Sequence, residues 1–141
     1  QMQGALAYVR DRDEWAHPLW VINLEVIGQD GGYLIWERDG TVMLSLPADA
    51  TLNSVLERGV QEAAGTMPAL IPQINSDGFA FLRRGIPAAT LGSFDLERGG
   101  RGLHSAQDSP TRVDPARVAE TEKILAHVLR ILDAEQGGSD G

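Results

Sequence analysis

Residues 19–27 read L-W-V-I-N-L-E-V-I, a nearly unbroken apolar run rich in β-branched side chains, and Gly28 ends it. This is the pattern of a central strand covered on both faces, which obliges the rest of the chain to supply those covers. The polar interruptions, Asn23 and Glu25, are two residues apart and therefore point to the same side of the strand. A carboxylate there is costly unless something pairs with it, or unless the strand end meets solvent.

The remaining patterns supply the covers. Residues 4–13 place Leu6 and Val9 at helical spacing before a charged stretch, which predicts the end of a helix. Residues 33–37 and 41–46 predict two short strands, with Arg38-Asp39-Gly40 as the turn between them. Asp49 or Thr51 caps a helix running to Ala64, with Leu52, Val55, Leu56 and Val60 on one face and Gly65 after its end. Pro68 and Pro72 mark an irregular stretch. Ser76 stands at an N-cap position before a short helix that Gly85 ends, and residues 86–91 predict a further strand. Residues 92–113 form a long loop containing Gly99, Gly100 and Gly102. Asp114-Pro115 opens the last helix, where Val118, Thr121, Leu125, Val128, Leu129 and Leu132 make an apolar stripe. Strands alternating with helices give an α/β class, and 141 residues suffice for one domain. Residues 137–141 are expected to be a disordered tail behind a domain over 1–136.

Composition narrows the function. Acidic residues outnumber basic ones 20 to 12, a net charge of -8, which argues against nucleic acid and against an anionic membrane surface. No apolar run approaches the roughly 18 residues of a membrane helix. The absence of cysteine excludes a disulfide scaffold, a thiol nucleophile and a zinc finger. There is no nucleophile-elbow serine motif, no phosphate loop and no dinucleotide fingerprint. Of the three histidines, His127 falls inside the last helix and His17 in an Ala-His-Pro connection, both structural places. His104 lies in the glycine-rich loop with Asp108 four residues on, a carboxylate able to hold a ligand histidine's second ring nitrogen.

Three blocks in order carry a resemblance. Val21-Ile22-Asn23-Leu24-Glu25-Val26-Ile27-Gly28 is similar to a "(V/I)-N-L-D-M-I-G" strand. Ser76-Asp77-Gly78-Phe79-Ala80-Phe81, continued by Gly85-Ile86-Pro87-Ala88, is similar to "S-D-H-x-P-F … G-I-P-A". His104-Ser105-Ala106-Gln107-Asp108-Ser109, with Val113-Asp114 beyond, is similar to "Y-H-T-x-x-D-T … (I/L)-D". Together they resemble the co-catalytic zinc aminopeptidases of the bacterial leucyl aminopeptidase and glutamate carboxypeptidase type.

The resemblance implies a mixed sheet flanked by helices, a zinc-exopeptidase-like (phosphorylase/hydrolase-like) fold of which this chain is the C-terminal part. It implies up to two zinc ions, hydrolysis of a peptide substrate by metal-activated water, Glu25 and His104 as metal ligands, Asp108 behind His104, and Asp77 bordering the site. The family's general-base glutamate and its other ligands fall before Gln1, so no catalytic residue is assigned here and the chain alone is expected to be inactive. An interrupted sheet is expected to self-associate or to pair with a missing N-terminal half. The family's habit suggests a secreted or periplasmic location. Three positions depart from the pattern: Glu25 stands for aspartate, Gly78 for histidine and Leu103 for tyrosine. Those departures favour the alternative, a non-catalytic binding or interaction domain of the same fold.

Overall fold

The computed structural model describes residues 2–10, 20–95, 104–106 and 108–137. In chain order the elements are α1 (Gln3–Arg10), β1 (Val21–Glu25), β2 (Gly32–Trp36), β3 (Arg38–Gly40), β4 (Ser45–Pro47), α2 (Ala50–Ala64), β5 (Ala69–Ile71), α3 (Gly78–Leu82), β6 (Ala88–Phe94), a 3-10 turn at Pro110–Arg112, and α4 (Pro115–Gly137). Four strands form one mixed sheet in the order β1-β6-β2-β5. β1 runs parallel to β6, β6 antiparallel to β2, and β2 parallel to β5.

Alternation along the strands sorts the two faces. Ile22, Tyr33, Ile35, Ala89 and Leu91 meet α2 and α4 through Leu52, Val55, Leu56, Val60, Ile124 and Val128, and this is the larger core. On the other face Leu34, Trp36 and Ile71 form a smaller cluster with Ile74 and Phe94. α3 packs there against β6 and β1, and α1 lies on α3, where the Tyr8 and Phe81 rings meet edge-on at 6.1 Å.

α2 begins where the sequence places it. The Asp49 carboxylate accepts the Leu52 N–H at 2.9 Å, and Gly65 takes the left-handed conformation past the end at φ 68°. Within the helix, Gly59 lets α4 approach: a Cβ there would lie 2.3 Å from Val128 Cγ2.

Several expectations are corrected. The first strand spans five residues, because Val26 turns into the left-handed region at φ 51° and breaks the pairing. Among the described residues β1 lies at the sheet's edge, and the central place belongs to β6, six of whose seven residues are buried. Arg38-Asp39-Gly40 is a strand, not a turn: it pairs with β4, and residues 41–44 make the reversal. β5, three residues between Pro68 and Pro72, is too short to show a period. The later strand is shifted to Ala88–Phe94 and takes the start of the expected loop. On α4 the buried stripe is Thr121, Ile124, Val128, Ile131 and Leu132, while Val118 and Leu129 are exposed. α4 continues through Gly137, and residues 138–141 lie outside the described ones.

Candidate functional site

At the carboxyl end of β1, Asn23 and Glu25 both face the α3 side, as their spacing requires. Their register partners on β6 are Thr90 and Gly92. The segment before α3 contributes Ser76 and Asp77, and β3 contributes Asp39. Four chain segments distant in sequence thus converge on one point beside the sheet.

The innermost member is Asp39, 1% exposed. Its carboxylate accepts the Ser76 main-chain N–H at 2.7 Å, the Ser76 hydroxyl, and the Thr90 hydroxyl at 3.4 Å. Ser76 Oγ in turn accepts from Asn23 Nδ2 at 3.0 Å and from the Gly78 N–H at 3.2 Å. Burial pushes the Asp39 carboxyl above the usual range, against the opposing pull of the Ser76, Thr90 and Gly40 donors.

Gly78 follows from this packing. A Cβ at that position would sit 2.8 Å from both Asp39 Oδ2 and Thr90 Oγ1. Where the family pattern carries histidine, this chain has given the space to a buried carboxylate and a threonine hydroxyl.

Glu25 is half-buried at the rim of this cluster. Its carboxyl is raised first by burial, then by the Asp77 carboxylate and, more weakly, by Asp39; a hydrogen bond from Asn23 and the nearby His104 oppose the rise. Of the residues singled out in the sequence, Asp77 and His104 are therefore both within electrostatic reach of Glu25. His104 is exposed with φ 61°, and Asp108 accepts from its main-chain N–H at 3.3 Å. Asp77 is exposed and its side chain caps nothing on α3. Leu103 and His17 lie outside the described residues. His127 bridges α4 to Glu62 on α2.

Asp39, Ser76 and Thr90 were not legible as a group. Asp39 sits in an Asp-Gly pair that reads locally as a turn, and its partners are 37 and 51 residues away.

The sequence profile of Peptidase family M28 matches residues 1–129. The chain belongs to that family. Its fold is similar to that of the LapA aminopeptidase of Legionella pneumophila, with a TM-score of 0.70 and 15% identity over 90% of this chain and 35% of that one. It is similar to BSAP, a zinc aminopeptidase from Bacillus subtilis, with a TM-score of 0.67 and 16% identity over 91% of this chain and 32% of that one. The chain thus spans about a third of the length of these aminopeptidases. A futalosine hydrolase mutant of Helicobacter pylori shares the architecture at a TM-score of 0.58 and 10% identity, over 92% of this chain and 74% of that one. The architecture alone therefore does not name a reaction. No curated protein matches the chain in sequence.

The donors among the described residues do not by themselves fit a complete zinc site. Among the described residues no group of three or more histidine, aspartate or glutamate side chains is gathered to hold a metal, and a closed zinc site needs about four donors. Ser76 and Thr90 are committed to Asp39.

Proposed function

We propose that this chain is part of a zinc-dependent exopeptidase domain of the aminopeptidase type, acting on peptide bonds through metal-activated water once the full site is assembled. Glu25 is its contributed carboxylate and His104 its contributed imidazole. Asp77 borders the site, and Asp108 steadies His104 through its main chain. The remaining donors and the general base come from the two-thirds of the family fold that this chain does not span. The observation that carries the reading is the placing of Glu25: a half-buried carboxylate at a strand's carboxyl end, beside the Asp77 and Asp39 carboxylates, in a chain of this peptidase family. A divalent cation offsets such crowding of negative charge.

The edge of β1 is the natural place for the rest of that sheet. Among the described residues β1 has a neighbour, β6, on one side only. Pairing along β1 by a complementary fragment, or by a second copy, follows from that open edge.

Calorimetric titration of zinc into the metal-free chain, with His104→Ala beside it, tests the metal assignment. Micromolar or tighter binding that the variant loses supports it. Absence of zinc binding, both by the chain and by the chain supplied with the rest of the family fold, overturns it. Robust, chelator-sensitive release of amino-terminal residues by this chain alone would overturn its role as a partial site. A non-catalytic binding domain is the second reading. It is favoured by the lack of a three-donor group among the described residues and by the packing that gives the histidine's place at Gly78 to Asp39.

A further inference from the structure

The buried carboxylate of Asp39 enters the reading above only as negative charge beside Glu25, yet its contacts also determine which way the protons in the cluster point. Each of its partners donates: the Ser76 N–H, the Ser76 hydroxyl, the Thr90 hydroxyl and the Gly40 main chain. The Asp39 oxygens act as acceptors in every one of these contacts, so the single proton of the Ser76 hydroxyl is drawn to Asp39. The lone pairs of Ser76 Oγ are then left for the Gly78 N–H and for the Asn23 amide at 3.0 Å. Asn23 must present Nδ2, not its carbonyl oxygen, to Ser76 and to Thr90 at 3.4 Å. With one amide orientation selected, the Asn23 side chain is fixed as a donor beside Glu25, two residues along the same face of β1.

We propose that Asp39 is a positioning residue for Glu25, setting the direction of a hydrogen-bond relay that runs from Asp39 through Ser76 to Asn23. The inference rests on the reading of Glu25 as a zinc-binding carboxylate for its purpose, but not for its geometry. The same packing leaves no room for a side chain beside the relay. The Gly78 backbone lies so close to Asp39 and Thr90 that any side chain there would strike them at 2.8 Å, so the chain keeps that position empty of Cβ.

Asp39→Asn is the decisive variant because it keeps the shape and reverses the polarity. The Ser76 N–H still needs an acceptor, so the new amide oxygen takes it and the new N–H₂ faces the two hydroxyls. The Ser76 proton must then turn away from position 39, and the Asn23 amide loses its acceptor. In ¹⁵N-labelled chain the side-chain amide protons of Asn23 are followed by solvent exchange, with the main-chain amides of β6 as reference. They are expected to exchange at least about tenfold faster in Asp39→Asn while the β6 amides hold their protection. A merely structural role for Asp39 would loosen β6 and Asn23 together. Ser76→Ala cuts the relay in the middle and is expected to give the same selective change, which keeps the test sharp if Asp39→Asn does not fold.

Titration with zinc alone separates the two claims. If the wild-type chain binds zinc, Asp39→Asn is expected to weaken binding about 10- to 100-fold. A folded Asp39→Asn chain with Asn23 exchange unchanged overturns the relay, as does undiminished zinc affinity when Asn23 has been released. Failure of the wild-type chain to bind zinc, with the exchange result as expected, counts against the metal assignment of Glu25 and leaves the relay standing.

Discussion

The contact between α2 and α4 admits a quantitative test at Gly59. This residue is buried in the interior of α2, where glycine is about 1 kcal/mol worse than alanine on helix propensity alone. Propensity therefore predicts that Gly59→Ala stabilises the chain. Packing predicts the opposite. The added methyl would lie 2.3 Å from Val128 Cγ2, roughly 1.5 Å inside an ordinary carbon–carbon contact. Val128 is fully buried in α4, and a helical valine has one strongly preferred rotamer, so it cannot turn aside cheaply. Overpacking of this kind costs about 1–3 kcal/mol. With so stiff a neighbour the upper half of that range applies, and the net expectation is a loss of about 1–2 kcal/mol after the propensity gain. For a chain of this size that lowers Tm by several degrees, about 4 °C per kcal/mol. Val128→Ala alone removes buried methyls and costs about 2–3 kcal/mol. In the double variant the methyl at 59 enters the space Val128 vacates, so the two losses fall short of their sum by about 2 kcal/mol. Urea unfolding followed by tryptophan fluorescence on the four proteins reads this coupling. Stabilisation by Gly59→Ala together with additivity would show that the helices do not touch at this point.

Other perturbations follow from the same structure. Restoring the family residue by Gly78→His is expected to destabilise the chain by about 2–4 kcal/mol, because it displaces hydrogen bonds to a buried carboxylate; thermal unfolding measures it. The buried Tyr33 phenol, which donates to Glu120 at 2.8 Å, is held above its usual value of 10.0, chiefly by burial. Its contribution is complete below that value and is lost as pH rises through the higher folded one, so stability should fall above about pH 10. Tyr33→Phe should remove that alkaline slope while costing about 1 kcal/mol at neutral pH, as urea midpoints across the pH series would show. Asp49→Ala removes the cap on the Leu52 N–H and is expected to cost about 1 kcal/mol, again by urea unfolding. Arg58→Ala breaks an exposed pair with Glu135 and should change stability by less than about 1 kcal/mol in the same assay.

What could be recovered from sequence was what local physics encodes. α2 was legible because Asp49, the four buried apolar positions and Gly65 each act within a turn or two of the helix. The same-face placing of Asn23 and Glu25 was legible because a strand's period is fixed at two. β5 was not, since three residues between prolines show no period and their pairing with β2 is made 35 residues away. On α4 the choice between Leu125 and Leu129 on one side and Ile124 and Ile131 on the other depends on how the helix is rotated against the sheet, and α2 decides that. Asp39 was hidden for the strongest reason. Its Asp-Gly neighbourhood favours a turn, and only donors from the α3 segment and from β6 give it reason to be buried. Glu25 and His104 were singled out through the family pattern as candidates, and the crowding of Asp77 and Asp39 around Glu25 came only with the structure.

The pairing of β1 with β6 sets an order of events for a chain leaving the ribosome. The described partner of β1 is a strand whose matching residue, Thr90 opposite Asn23, comes 67 positions later. At a synthesis rate of about 5–20 residues per second, β1 waits on the order of 3–13 s for that partner. By then β2, β3, β4, α2 and β5 have all been made. The helices and the hairpin can form from contacts close in sequence, whereas β1 gains its described partner only when β6, the last of the described strands, arrives. The cluster around Asp39 and Glu25, which needs β1, β3, the α3 segment and β6 at once, is therefore among the last parts of the molecule to take shape. A nascent chain stalled before residue 88 would present the β6-facing edge of β1 without its partner, a ready target for chaperones or for the wrong strand.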